Sequence, residues 1–379
     1  MKIAVIRQKF VNYGGAEHFV SDYASHLAGA GHEVHIFANQ WTPSDHRNIH
    51  LHKVGAFKIN SFARCLSFAW FADRAVRGNR FDIVQSHERT FSQDIYRAGD
   101  GCHREWLEQR KKYLSPLKKI LLKFSLFHQL ILSLEKGLFE GDRCKKIIAI
   151  SEMVKKDIQK HYRTPDQKIA VVYNGVALKK FHPDNRSRFR KAIRDSLNIN
   201  EGTVMVLFVG SGFERKGLRF LVQSLKYWKE KGWRLVLMGK GDWEPYTAYA
   251  SAEDREKVIC LAPVDDIEKY YAAADIFALP SIYEPFGNAN LEALASGLPC
   301  VISRRSGAAE IVTHGRNALV LEDPSDPEEI AMHVNRLFDR PVREAMGAEA
   351  RALAEKFTPE RNAEEMEKIY REVGAMKQD

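Results

Sequence analysis

The sequence predicts an α/β protein of two doubly wound domains, each a parallel sheet covered by helices on both faces. Short Val/Ile/Leu-rich runs alternate with helix-length amphipathic segments, and the alternation occurs twice along the chain. The 379 residues amount to about 2.5 average domains of roughly 150 residues. In both halves a glycine-containing loop follows a strand-like run and opens a helix.

In the first half, Ile3–Ile6, Glu33–Ala38, Ile83–Ser86, Ile147–Ile150 and Ile169–Val172 read as strands. A helix runs from about Glu17 to Ala30 and is ended by Gly31. In the second half the strands are Val204–Gly210, Arg234–Gly239, Val258–Leu261, Ile276–Pro280 and Pro299–Ser303, apolar enough for sheets buried on both faces. The turn-forming, basic stretch NGVALKKFHP, residues 174–183, marks the boundary. The expected domains are 1–173 and 174–359, with a C-terminal helix over about 360–379 packing back on the first. Two such domains facing each other would place ligands in the cleft at the carboxyl ends of their strands.

Composition narrows the function classes. With 45% apolar and 28% charged residues the chain is globular, far from the disordered regime. Five separated cysteines without a C-x-x-C pair suggest neither a disulfide framework nor a zinc knuckle, so a reducing compartment is expected. The start MKIAVIRQ has no signal-peptide pattern, and no run approaches the roughly 18 apolar residues of a spanning helix. A cytoplasmic protein, neither exported nor integral to a membrane, is the expectation.

The net charge of +9 is unevenly placed. Residues 1–180 hold 30 Lys/Arg against 17 Asp/Glu, whereas residues 181–379 hold 28 against 32. An anionic partner for the first half follows: phosphorylated substrate, nucleic acid or an anionic membrane surface. The basic excess peaks over 104–146, with 11 basic residues against 5 acidic. There Ser115 and Pro116 can start a helix whose Leu117, Leu121, Phe124, His128 and Ile131 recur at spacings of three and four, flanked by Lys118, Lys119 and Lys123. Such a helix can lie at a bilayer interface; one packed on its own domain fits the same pattern. Nucleic acid is disfavoured, because no helix-turn-helix, zinc-finger or RNP-like motif accompanies the charge.

Three loops carry candidate chemistry. Gly14-Gly15, after the first strand, permit close backbone approach to an anion at a helix start, although a plain turn also explains them. The loop lacks G-x-G-x-x-G, which removes support for a nicotinamide or flavin cofactor. FVGSGFERKGL, residues 208–218, combines glycines with adjacent Arg215 and Lys216, as binding of a diphosphate requires. In SIYEPFGNANLEALASGLPCVIS, residues 281–303, Glu284 stands in a loop and Glu292 eight residues on, inside a helix opened by Asn288-Ala289 and ended by Gly297-Leu298-Pro299. Two carboxylates near a helix start suit the hydroxyls of a sugar and a ribose.

The E-P-F-G-x-x-x-L-E-A-x-A-x-G-x-P stretch resembles the E-x7-E motif of family 4 retaining glycosyltransferases with the GT-B fold. Gly14-Gly15, NGV at 174–176, GSGFERKGL at 210–218 and VLMGKGD at 236–242 follow in that family's order, so the resemblance covers nearly the whole chain. RAGDGCHREWL at 97–107, the basic insertion after it and VGSGFERKG are most similar to the lipopolysaccharide-core glucosyltransferases that glucosylate inner-core heptose. Cys102-His103 and their surroundings match no single acceptor, leaving the role of His103 open, and family members vary at Asn288.

The resemblance implies a nucleotide sugar, UDP-glucose first, held mostly by the second domain. Glu284 would hold the sugar hydroxyls, Glu292 the ribose hydroxyls and Arg215 with Lys216 the diphosphate. Phe286 and the Gly287-Asn288 backbone would also contact the donor, Val264 would border the base, and Gly14 and Gly15 would close on the diphosphate. The chain contains no D-x-D triplet, so neither metal nor other cofactor is expected, and the basic pair would neutralise the leaving group. Front-face attack would be assisted by Asp100, although Asp100 also suits a simple G-D-G turn. His87 and Glu88, after the strand DIVQS, are acceptor-side candidates whose role is open. The acceptor would be a phosphorylated, lipid-linked core oligosaccharide, with the enzyme peripheral on the cytoplasmic face of the inner membrane. UDP-GlcNAc, GDP-mannose and ADP-heptose remain alternative donors. From another class, a two-domain binding protein without catalysis would clasp a ligand in the same cleft.

Overall fold

The computed structural model describes residues 1–10, 23–41 and 47–377. The chain divides into two compact units, residues 1–174 with 359–379, and residues 175–358. The first contains β1 (Lys2–Ile6), β2 (Glu33–Ala38), β3 (Ile49–Lys53), β4 (Ile83–Ser86), β5 (Ile95–Ala98), β6 (Lys146–Ala149) and β7 (Ile169–Val171). They form one sheet in the order β3-β2-β1-β4-β5-β6-β7, parallel throughout. The second unit contains β8 (Val204–Val209), β9 (Trp233–Met238), β10 (Val258–Leu261), β11 (Ile276–Leu279), β12 (Cys300–Ser303) and β13 (Leu319–Leu321), ordered β10-β9-β8-β11-β12-β13 and again parallel. Both are Rossmann-like: strand order reverses between β1 and β4 in one sheet and between β8 and β11 in the other. Ligands of such sheets bind beyond the carboxyl ends at that point.

Each face of the first sheet is closed by its own core. Ile3, Val5 and Ile36 pack with Leu27 and with Met366, Ile369, Tyr370 and Val373 of the C-terminal helix Pro359–Ala375. Ala4, Ile6 and Phe37 pack with Phe68, Ala72 and Val76 of helix Ser61–Arg77 on the other face. That helix starts where Asn60 accepts a hydrogen bond from the Ala63 amide at 2.8 Å.

In the two large sheets, three strands lie outside the sequence expectation. β3, IHLHK, is an edge strand with alternating histidines. β5, IYRA, buries its Arg97, whose Nη2 donates to the side-chain Oδ1 of Asn174 at 2.6 Å. β13 is three residues long. The first two lack the continuous apolar run that marks a buried strand, and the third, LVL, is apolar and buried but short. The expected helix over about Glu17 to Ala30 is helical over residues 23–29, its earlier part lying outside the described residues.

The basic segment corrects the expectation of one continuous helical face. Helices Pro116–Lys123 and Leu126–Glu140 are separated at Ser125, whose hydroxyl caps the second by accepting from the His128 amide at 3.4 Å. The side chain competes with helix continuation and turns the chain. The face divides accordingly. Leu117, Leu121 and Phe124 are 67%, 63% and 68% exposed, whereas Ile131 is buried on its own unit.

Candidate functional site

The chemistry of the second unit concentrates at its switch point. After β8 the chain passes through Gly210, whose φ of +141° places its α-hydrogen against the Lys216 side chain; a Cβ there would overlap that side chain. Gly217, at φ +70°, lies so close to the Pro280 carbonyl after β11 that it also excludes a side chain. These contacts join the two switch-point loops and aim Lys216 across them.

Lys216 Nζ donates to Glu284 Oε2 at 2.9 Å, and Arg215 Nη1 lies 3.0 Å from Glu284 Oε1. Arg215 also donates to the Tyr283 carbonyl at 3.0 Å, while the Ile282 amide donates to the Arg215 carbonyl at 2.9 Å. Lys216 and Glu284 are buried, so a solvated charge pair on a helix does not describe them. Burial opposes ionisation of Glu284, but Arg215 and Lys216 overcome it and hold the carboxyl at about 2. Burial also pulls Lys216 down, partly offset by Glu284.

Beyond Glu284 the backbone is tied to the neighbouring loop, since the Glu284 amide donates to the Arg305 carbonyl and the Gly307 amide to the Glu284 carbonyl, both at 2.9 Å. Phe286 is buried and its carbonyl accepts from Ser306 Oγ at 2.9 Å. Gly287 caps helix Asn288–Ala295, which begins with half-buried Asn288 and ends before Gly297 at φ +73°. On it, Glu292 accepts from the Tyr271 hydroxyl at 2.9 Å, and burial followed by the Glu292 charge pushes that phenol well up. Val264 is half-buried in the loop after β10.

Sequence reasoning missed two parts of this site. Phe213 and Trp243 stack with ring centroids 4.0 Å apart, joining the loops after β8 and β9. Both adjoin the glycine motifs GSG and GKGD, the signal that could have found them. Ser281 Oγ and Asn290 Oδ1 are buried without a hydrogen-bond partner among the described residues. Asn290 lies three residues beyond Gly287 within the same motif.

In the first unit His87 and Glu88 follow β4 at the other switch point. His87 Nε2 is 2.8 Å from Gln85 Nε2, and burial, with Arg7 and Arg97 adding, pulls the imidazole well below its ordinary range. Glu88 accepts from the Gln8 amide at 3.0 Å and lies 3.6 Å from Arg7; burial outweighs that cation and raises its carboxyl. Asp100 follows β5, its exposed carboxylate 3.9 Å from Arg89. Arg89 in turn donates to the fully buried Glu135 at 2.8 Å, which also accepts from the His103 amide at 2.7 Å. His103 Nε2 is 3.0 Å from His128 Nδ1, and burial, with Arg89 and His128 adding, pulls its imidazole down to about 3. Thus Arg215, Lys216 and Glu284 meet directly, Phe286 to Glu292 continue from them, and Glu88, Arg89 and Asp100 form a separate group. Gly14 and Gly15 lie outside the described residues.

The fold and these motifs define a GT-B glycosyltransferase. Residues 13–180 match the family model Glycosyltransferase Family 4, and residues 189–353 match Glycosyl transferases group 1. The chain belongs to the family 4 glycosyltransferases and is a transferase of that class. It resembles the lipopolysaccharide glucosyltransferase WaaG of Escherichia coli K12, with 24% identity over 360 residues and 94% of each chain. A crystal structure of WaaG superposes with a TM-score of 0.83 at 22% identity, covering 95% of this chain and 98% of that one. An uncharacterized glycosyltransferase of Methanocaldococcus jannaschii, MJ1607, is 32% identical over 233 residues, 60% of each chain, so the match spans less than two thirds of that relative. Anabaena Alr3699/HepE, solved in complex with UDP and glucose, shares the fold with a TM-score of 0.74 at 19% identity, covering 97% of this chain and 99% of that one.

Proposed function

We propose that the protein is a retaining, metal-independent glucosyltransferase that moves glucose from UDP-glucose to inner-core heptose of lipopolysaccharide. The observation that carries this reading is the Arg215–Lys216–Glu284 cluster, with Lys216 and Glu284 buried, at the switch point of the second sheet. The near full-length likeness to WaaG supports the acceptor class, and the UDP and glucose held by HepE support the donor class.

Glu284 fixes two cations, the buried Lys216 and the partly exposed Arg215, and the pair carries one positive charge beyond that carboxylate. A diphosphate leaving group gains charge as its bond to the anomeric carbon breaks, and preorganised cations stabilise it. The acceptor hydroxyl attacks the same face, its proton passing to the departing diphosphate oxygen, while Asp100 orients the hydroxyl. Glu284 and the buried Asn290 and Ser281 offer partners to sugar hydroxyls, Glu292 to ribose, and Gly287-Asn288 backbone to sugar or phosphate. Phe286 and Val264 complete the donor contacts, and Gly14 and Gly15 approach the diphosphate. His87 and Glu88 belong to the acceptor side.

Among the described residues no helix is long and apolar enough to cross a membrane. The exposed Leu117, Ile120, Leu121 and Phe124, beside Lys118, Lys119 and Lys123, support peripheral attachment to an anionic inner-leaflet surface that carries the phosphorylated lipid-linked acceptor.

Calorimetric titration with UDP, GDP and ADP in the presence of a chelator, followed by transfer from UDP-glucose to a heptose acceptor, tests the reading. Selective UDP binding and product of retained configuration are expected. Preference for GDP or ADP would overturn the donor, and binding without turnover of any nucleotide sugar would revive a binding protein.

A further inference from the structure

The amino ends of β2 and β3 carry an unusual set of side chains. His35 pairs in register with His50, and Phe37 with His52, so strand alternation puts Glu33, His35, His50 and His52 on one face of the sheet. One donor atom each from Glu33, His35 and His50 lie within 4.8 Å of one another. Glu33 Oε1 is 2.8 Å from His35 Nε2 and 3.9 Å from His50 Nε2. A tetrahedral zinc ion with bonds of about 2.0 to 2.1 Å needs donors about 3.3 Å apart, a small adjustment from both distances. Glu33 and His50 are exposed and can make it, while His35 is buried and stays in place.

The surroundings resemble those that orient a metal-binding imidazole. His35 Nδ1 is 2.7 Å from His52 Nε2, and His52 stacks on Phe37 with centroids 4.6 Å apart. With Nε2 on an ion, the His35 Nδ1–H donates to His52 Nε2 and both rings stay neutral. Lys2 Nζ, 3.8 Å from Glu33, is the competing cation, on a partly exposed side chain that can withdraw.

We propose that Glu33, His35 and His50 form a site for a divalent transition ion of the zinc class, with His52 orienting the His35 ring. Two imidazoles and a carboxylate leave a fourth position for water. The ion would clip the edge strand β3 to β2 at the amino ends of the strands, remote along the sheet from the carboxyl-end loops that carry His87 and Glu88. Its role is structural and independent of the transfer reaction.

The full chain, stripped with chelator, is titrated with Zn2+ by calorimetry and with Co2+ by visible absorption. About one ion per chain is expected, with a tetrahedral cobalt spectrum. Affinity should fall at least tenfold in His50→Ala and in Glu33→Ala, whose exposed positions spare the fold, as circular dichroism would verify. His52→Ala should weaken binding about tenfold. Zinc should raise the thermal midpoint of the parent chain but not of His50→Ala. No saturable binding, or binding unchanged in both His50→Ala and Glu33→Ala, would overturn the proposal.

Discussion

Lys216 and Glu284 stand 68 positions apart in the chain, yet their charged groups meet at 2.9 Å and both residues are buried. Removing one partner of a buried ion pair leaves an uncompensated charge, a loss of about 3 kcal/mol or more. Here Arg215 still faces Glu284, so Lys216→Ala should cost less in urea unfolding. Turnover should fall about 100-fold, as when one preorganised donor to a developing anion is lost, with donor affinity falling as well. Unchanged transfer and unchanged UDP affinity would remove the cluster from the chemistry.

The same pair gives stability a pH dependence. Glu284 is held at about 2 in the folded chain against an ordinary value of 4.5. A depressed carboxyl contributes stability that is full above the unfolded value and is lost as pH falls through the folded one, a window of about pH 4.5 to 2. The contribution is at most about 3 kcal/mol. The stability difference between the parent chain and Glu284→Gln should shrink across that window in urea titrations at successive pH values. A difference independent of pH would contradict the pairing.

Gly210→Ala should impair function more than folding. The added methyl group meets the Lys216 side chain at a φ of +141° that alanine rarely adopts. Calorimetry should show UDP affinity reduced about tenfold or more, while circular dichroism shows the sheet retained.

Attachment to lipid should depend on the exposed face of helix Pro116–Lys123. Leu117→Asp with Leu121→Asp, or Lys118→Glu with Lys119→Glu, should reduce flotation with vesicles containing anionic lipid while leaving UDP binding intact. Equal flotation with neutral vesicles would count against the electrostatic part of the account.

Tyr370 of the C-terminal helix donates to Gln85 Oε1 at 2.6 Å, and Gln85 contacts His87. Tyr370→Phe leaves a buried acceptor unmet at a cost of about 1 to 3 kcal/mol. Thermal unfolding should register that loss, and transfer should fall as the His87 ring loses its support. Full stability in the variant would mean that Gln85 finds another donor.

The fold was legible where burial on both faces produced a continuous apolar run, as in VMVLFV and IFAL. It was not legible in IHLHK, an edge strand that keeps one polar side, or in IYRA, whose arginine finds its partner 77 residues away. At the site, Glu284 and Glu292 stood out because spacing and helix-start residues are local features. The Phe213–Trp243 stack did not, because two loops must meet before those rings form a wall.

The sequence by itself determined two runs of alternating strand and helix, the boundary near residue 174 and the positions of the glycine loops, since each is written within a few neighbouring residues. Tertiary structure alone decided that β8 lies beside β11 and so brings Lys216 to Glu284. It also decided which half of the basic segment's apolar face is covered, and which residues of the last helix, Met366, Ile369, Tyr370 and Val373, meet the first sheet. Strand order and burial depend on which distant surfaces exclude water together, and no local periodicity encodes that choice.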